Sequence, residues 1–136
     1  MNFESCCDYL ISKPESSLDF PFDPDVHVYK VCGKMFALIS PKGNQSPERH
    51  PQMNLKCDPD HAMELRDVFD AVIPGYHMNK RHWNTVILDG TLPASEIQRM
   101  IDHSYGLVLK GLTKAQRAPI ELKYPPSDLY QELNPK

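Results

Sequence analysis

Three segments with strand character follow one another with no helical segment between them, and that order constrains the fold more than any other feature. Residues 26–32 and 34–40 are rich in Val, Tyr, Phe, Ile and Leu, with Gly33 supplying a tight turn between them. A polar loop over residues 41–51 leads to Met53, Leu55 and Cys57, which alternate with Asn54 and Lys56 as a half-buried strand does. Strands joined this directly pair antiparallel, so an alternating strand–helix arrangement around a parallel sheet is disfavoured.

Helical periodicity frames these strands. Phe3, Cys6, Cys7, Leu10 and Ile11 recur at i, i+3, i+4, i+7 and i+8 while Glu4, Asp8 and Ser12 take the other face, and Pro14 ends the helix. Residues 15–25, with Pro21 and Pro24, read as a loop whose Phe20 and Phe22 lie back onto the core. Asp58-Pro59 is a helix entry, a side-chain acceptor followed by proline at the first helical position, and Ala62, Leu65 and Phe69 give a buried stripe to about Asp70. Beyond the break at Pro74-Gly75, short strands near residues 76–78 and 83–88 flank the polar turn 79–82 as a second hairpin. After the turn at Asp89-Gly90, Pro93 and Glu96 open a long helix with Ile97, Ile101, Tyr105, Val108 and Leu112 on one face, Gly106 weakening its middle and Asp102 facing solvent. From Ala118 onward four prolines and few periodic apolar positions predict an extended, partly disordered tail. The predicted order is αβββαββα: an α+β fold with a mainly antiparallel sheet of about five strands and three helices.

Several function classes are set aside by composition. At 136 residues the chain matches one ordinary domain able to bury a core without metal or disulfide staples. No basic-then-apolar leader opens it, and no apolar run approaches the roughly 20 residues of a bilayer span, so neither export nor a membrane is expected. Cys6, Cys7, Cys32 and Cys57 include no Cys-x-x-Cys pair, and a bond between the adjacent Cys6 and Cys7 would be strained. A reduced, cytoplasmic protein with small buried thiols follows.

Charge is unevenly spread. The net value is −3, yet residues 74–117 hold six Lys or Arg against three Asp or Glu, whereas residues 1–73 hold seven against twelve. Within the cationic segment, Tyr76, His77, Asn79, Lys80, Arg81, His82 and Trp83 crowd cations, hydrogen-bonding side chains and aromatics onto one hairpin. Such a wing suits a phosphate backbone, Lys80 and Arg81 neutralising phosphates while Trp83 or Tyr76 stacks nearby. The plainer reading is a solvated turn, with Trp83 a core anchor and His77 and His82 paired to neighbours.

Phe20-Pro21-Phe22, Gly33-Lys34-Met35-Phe36-Ala37, Leu55-Lys56-Cys57-Asp58-Pro59, the run from Pro74 to Thr85, and Ser104-Tyr105 resemble, in order, the signature blocks of the MmcQ/YjbR family. The resemblance covers residues 1–117 as a single domain and leaves 118–136 outside as a proline-rich tail. The loop ending in Phe20-Pro21-Phe22-Asp23 departs from the family, whose members often have glycine there. The resemblance implies a CyaY-like, double-wing fold and DNA binding. It places Lys56, His77, Asn79, Lys80, Arg81, His82 and Trp83 on the wing, and Lys110, Lys114 and Arg117 near the end of the last helix would extend the cationic surface.

A protein-interaction or small-ligand module, with Tyr76, His77 and Trp83 lining a cleft, is the alternative. Cys57 with His77 or His82 would be a thiolate and base in principle, but no Gly-rich phosphate loop, nucleophile elbow or His-Glu-x-x-His helix accompanies them, so no enzyme is expected. His77, His82 and His103 with Asp102 match no standard zinc spacing, and no metal or cofactor is expected.

Overall fold

The computed structural model describes residues 1–75 and 78–133. Six strands, β1 (Ser16–Asp19), β2 (His27–Val31), β3 (Lys34–Ser40), β4 (Gln52–Lys56), β5 (Val72–Pro74) and β6 (Trp83–Ile87), form one antiparallel sheet in the order β1-β2-β3-β4-β6-β5. Cys32 and Gly33 both have positive φ, 49° and 75°, the mirror-image turn that matches the twist of two flanking strands and that glycine enters without strain.

The helices are α1 (Phe3–Ser12), α2 (Pro59–Val68), α3 (Ala94–Lys110), α4 (Lys114–Lys123) and α5 (Pro126–Leu129). Asn2 and Ser5 close a capping box at α1, and the Asp58 side chain accepts from the His61 N–H at α2, as the Asp-Pro pair predicts. Strand alternation sends Tyr29, Ala37, Ile39, Met53 and Leu55 into one core with Cys6 and Leu10 of α1, Ala62 and Leu65 of α2, and Ile97, Ile101 and Tyr105 of α3. The opposite strand positions, Leu38, Asn54 and Lys56, are only half-buried and lie outside that core, so the helices gather on one face of the sheet. Between β2 and β3 the register shifts from Tyr29↔Ala37 to Lys30↔Met35, giving β3 one extra residue. That bulge leaves the Phe36 carbonyl free to accept from the Ser104 hydroxyl at 2.5 Å, and the same hydroxyl accepts the Lys56 N–H at 2.9 Å. A buried serine of α3 thereby fixes the helix against two strands at once.

The α+β class and antiparallel sheet agree with expectation, and the differences have local causes. Residues 16–19 form β1 rather than loop, since the free edge of β2 offers a ladder that a polar segment can fill. The strand expected at 76–78 lies upstream at Val72–Pro74, where the proline sits on the sheet edge; Tyr76 and His77 lie outside the described residues. The tail expected to be extended folds instead into α4 and α5. Thr113 and Gln116 form a capping box, and Leu129 is buried. Phe20 and Phe22 do not return to the core but are 46% and 68% exposed. Asp102 does not face solvent: it is 8% exposed and accepts from the Lys13 ammonium at 2.8 Å and the Tyr9 hydroxyl at 2.7 Å. No described helix is long and apolar enough to cross a membrane.

Candidate functional site

The connection between β5 and β6 is held by its backbone. Gly75 donates its N–H to the Trp83 carbonyl at 2.9 Å, and a Cβ there would meet the Trp83 Cβ at 2.8 Å, so the approach requires glycine. Asn79 builds the turn itself, its side chain accepting the Arg81 N–H at 3.0 Å and its carbonyl accepting the His82 N–H at 3.1 Å. His82 in turn accepts the Cys57 N–H at 2.7 Å, tying the turn to the end of β4.

A residue that sequence reasoning missed completes this scaffold. Arg66 of α2 donates to Asn84 Oδ1 at 2.7 Å, to the Trp83 carbonyl at 3.3 Å and to the Lys80 carbonyl. One guanidinium thus satisfies acceptors in the turn and on the strand that follows it, a use its planar fork suits and an ammonium does not. Its place beside Leu65, on the flank of the buried stripe of α2, was the available signal, but no local pattern names its acceptors.

The cations of the turn are otherwise disposed. Lys80 and Arg81 are exposed, and among the described residues neither forms an ion pair, although Lys13, Lys30, Arg99, Arg117 and Lys123 do. Lys56 and Trp83 are direct partners on β4 and β6, so both point to the sheet face opposite the helices. The structure therefore brings Lys56, Asn79, Lys80, Arg81, His82 and Trp83 together at one end of the sheet.

The extension onto the last helix is interrupted. Lys110 is exposed but lines a cleft of about 820 Å³ between α2 and α3 that also holds Asp58, Glu96 and Glu132. Lys114 is exposed at the start of α4. Arg117 is half-buried and committed elsewhere: it donates to the Lys110 carbonyl at 2.9 Å, closing the end of α3, and stands 3.9 Å from Glu121. These three residues belong to the helical side, not to the face bearing Lys56 and Trp83.

Of the groups considered for catalysis or metal binding, Cys57 is buried and His103 is hydrogen-bonded within the fold, while His77 lies outside the described residues. Burial, and secondarily Asp58, pushes the Cys57 thiol up to about 12, so it is protonated at neutral pH. His103 accepts the Asp58 N–H at Nε2, 3.2 Å, and its Nδ1 faces the Glu132 carbonyl at 3.1 Å, which sets the tautomer with the proton on Nδ1. Burial lowers its pKa from the ordinary 6.5, favouring that neutral form. Among the described residues no three His, Cys, Asp or Glu side chains group as metal ligands.

A family model described as YjbR matches residues 11–107, a span that includes Lys56 and the whole β5–β6 turn but ends before Lys110. The chain is 32% identical over 117 residues to YjbR of Escherichia coli K12, covering 86% of this chain and 95% of that protein. It is 35% identical over 101 residues to YbdF of Escherichia coli O157:H7, covering 74% and 79%. Among solved structures, it is similar to Deinococcus radiodurans protein DR2400, a DUF419 domain, with a TM-score of 0.75 and 38% identity over 91% of this chain and 89% of that one. A Pseudomonas syringae protein known from a crystal structure aligns with a TM-score of 0.69 and 34% identity over 79% and 98%.

Proposed function

The chain belongs to the YjbR family, and from that premise we propose that the β5–β6 turn, with Lys56 and Trp83 beside it, binds nucleic acid through the phosphate backbone. The observation that carries the reading is a division of labour: Arg66 holds the turn's carbonyls while Lys80 and Arg81 project without an ion pair among the described residues. Cations on a rigid turn lose little conformational freedom on contact, and each neutralised phosphate releases counterions. Trp83 adds a ring beside them for packing or stacking. With a net charge of −3 and a pI of about 6.0, the affinity is modest and strongly salt-dependent.

Binding without catalysis fits the protonated Cys57 thiol, and four free cysteines fit a reducing, cytoplasmic setting. Fluorescence anisotropy with labelled oligonucleotides tests the proposal. Binding at about 50 mM salt should weaken steeply toward 200 mM, and a Lys80→Glu/Arg81→Glu variant should bind roughly tenfold or more weakly with a shallower salt slope. Loss of neither affinity nor slope in that variant, or no binding by the native chain at low salt, overturns it.

A further inference from the structure

Above the helix-free face of the sheet, three loops enclose a groove of about 450 Å³. Leu38 of β3 and Asn54 of β4 form its floor, Phe22 one wall, Lys42 and Arg49 a second, and Met78, from the same β5–β6 connection that carries Lys80 and Arg81, a third. Phe22, Lys42 and Arg49 are exposed. Among the described residues no carboxylate lines the groove, although the chain as a whole holds more Asp and Glu than Lys and Arg.

The register connects this groove to the site described above. Asn54 pairs with Thr85 one row from the Lys56–Trp83 pair, two residues along the same strands, and therefore on the same face. Cations consequently stand at both ends: Lys42 and Arg49 at one, Lys56 and the 80–81 turn at the other, with Gln52 and Lys56 about 13 Å apart along β4. Across the strands the groove runs from the approach to β2 as far as the approach to β6, three strand spacings or about 14 Å.

Resting on the nucleic-acid reading, we infer that the ligand is a single strand, lying along this groove with its phosphates on Lys42, Arg49, Lys56 and Arg81 and its bases over Leu38, Phe22 and Trp83. A concave strip this narrow, with an apolar Leu38 beside a polar Asn54 on its floor, meets a duplex only at the backbone, whereas unpaired bases can lay their faces on exposed rings and side chains. Asn54 suits the floor: the Thr85 hydroxyl occupies its Oδ1, leaving the amide N–H group as a donor to a base edge.

Because Trp83 is the chain's one tryptophan, its emission reports occupancy of this end directly. The experiment compares an oligothymidylate of about twelve nucleotides with a duplex of the same length, by anisotropy and Trp83 emission, for the native chain, Phe22→Ala and Lys42→Glu. Both substitutions are at exposed positions, and unchanged thermal midpoints confirm folding. Expected are at least tenfold tighter binding of the single strand, quenching of Trp83, and a threefold or greater loss with each variant that the duplex does not show. Equal or tighter duplex binding, or variants with unaltered single-strand affinity, overturns the inference while leaving the nucleic-acid reading intact. Absence of binding to both oligonucleotides overturns the two together, and equal affinity for a polyglutamate peptide competing at the groove overturns base recognition.

Discussion

Asp102 shows how far a single residue's role can lie from its local context. On α3 it follows buried Ile101 and stands one turn before Tyr105, and its carboxylate meets an ammonium 89 positions earlier in the chain. The Lys13 ammonium also lies 5.2 Å from the Tyr105 ring centroid and 5.6 Å from that of Tyr9, so the charge is enclosed by a carboxylate and two aromatic faces. Removing one partner strands the other in a desolvated setting, the costly half of the balance for buried ion pairs. Asp102→Ala should therefore lower the unfolding free energy by about 3–5 kcal/mol in urea titrations, while Lys13→Met/Asp102→Leu recovers most of it. A loss as large in the double variant would show that packing, not the stranded charge, carries the effect.

At the scale of elements, the β5–β6 turn depends on α2. Arg66 supplies donors to Asn84, Trp83 and Lys80, and among the described residues no other charged side chain of α2 reaches across to them. Arg66→Met keeps the aliphatic packing and removes the donors, and hydrogen bonds from a charged group are worth about 1.5–3 kcal/mol. We expect a stability loss of that order, with weaker oligonucleotide binding even though Lys80 and Arg81 are intact; Arg66→Lys should rescue it only in part, since an ammonium does not reproduce the fork. Unchanged binding in Arg66→Met would mean that the turn needs no external support. Two other elements differ in how visible they were. The Thr113-x-x-Gln116 spacing is a capping-box signature that the reading of a proline-rich tail passed over, so α4 was missed although a local signal for it exists, whereas Ser16-Ser17-Leu18-Asp19 carries no period and becomes a strand only because β2 is beside it.

Across the whole molecule, the C-terminal segment is fastened back onto α3. The Arg99 guanidinium holds the Glu132 carboxylate at 2.9 Å, His103 faces the Glu132 carbonyl, and a Cβ on Gly106 would come within 3.1 Å of the Leu133 Cγ. His103 takes part as a neutral ring, for protonation at Nε2 would set an N–H against the Asp58 N–H. With its folded-state pKa below 6.5, the unfolded chain binds the proton more readily in the window beneath that value. Stability is therefore full above about pH 6.5 and declines as pH falls toward the folded pKa. Thermal midpoints measured from pH 7.5 down to 5.5 should drop, and His103→Gln should flatten that segment of the curve. An identical slope in the variant would place the titrating group elsewhere.

Local chemistry determined much of this protein: period-two runs and a Gly33 turn made the β2–β3 hairpin, Asp58-Pro59 opened α2, and a polar, cation-bearing turn at 79–82 was bound to be exposed. Those signals act over a few residues, and neighbours along the chain are sufficient to produce them. Tertiary structure decided which cations stay unpaired, turning Arg117 into the closure of α3 and Arg66 into the brace of the turn, and it alone assembled Phe22, Leu38, Lys42, Asn54 and Met78 around one groove. Arg66 stands 14 to 18 positions from its acceptors and the groove draws on residues from Phe22 to Met78, partners that meet only when strands and helices have packed, so no periodicity in the sequence encodes their meeting.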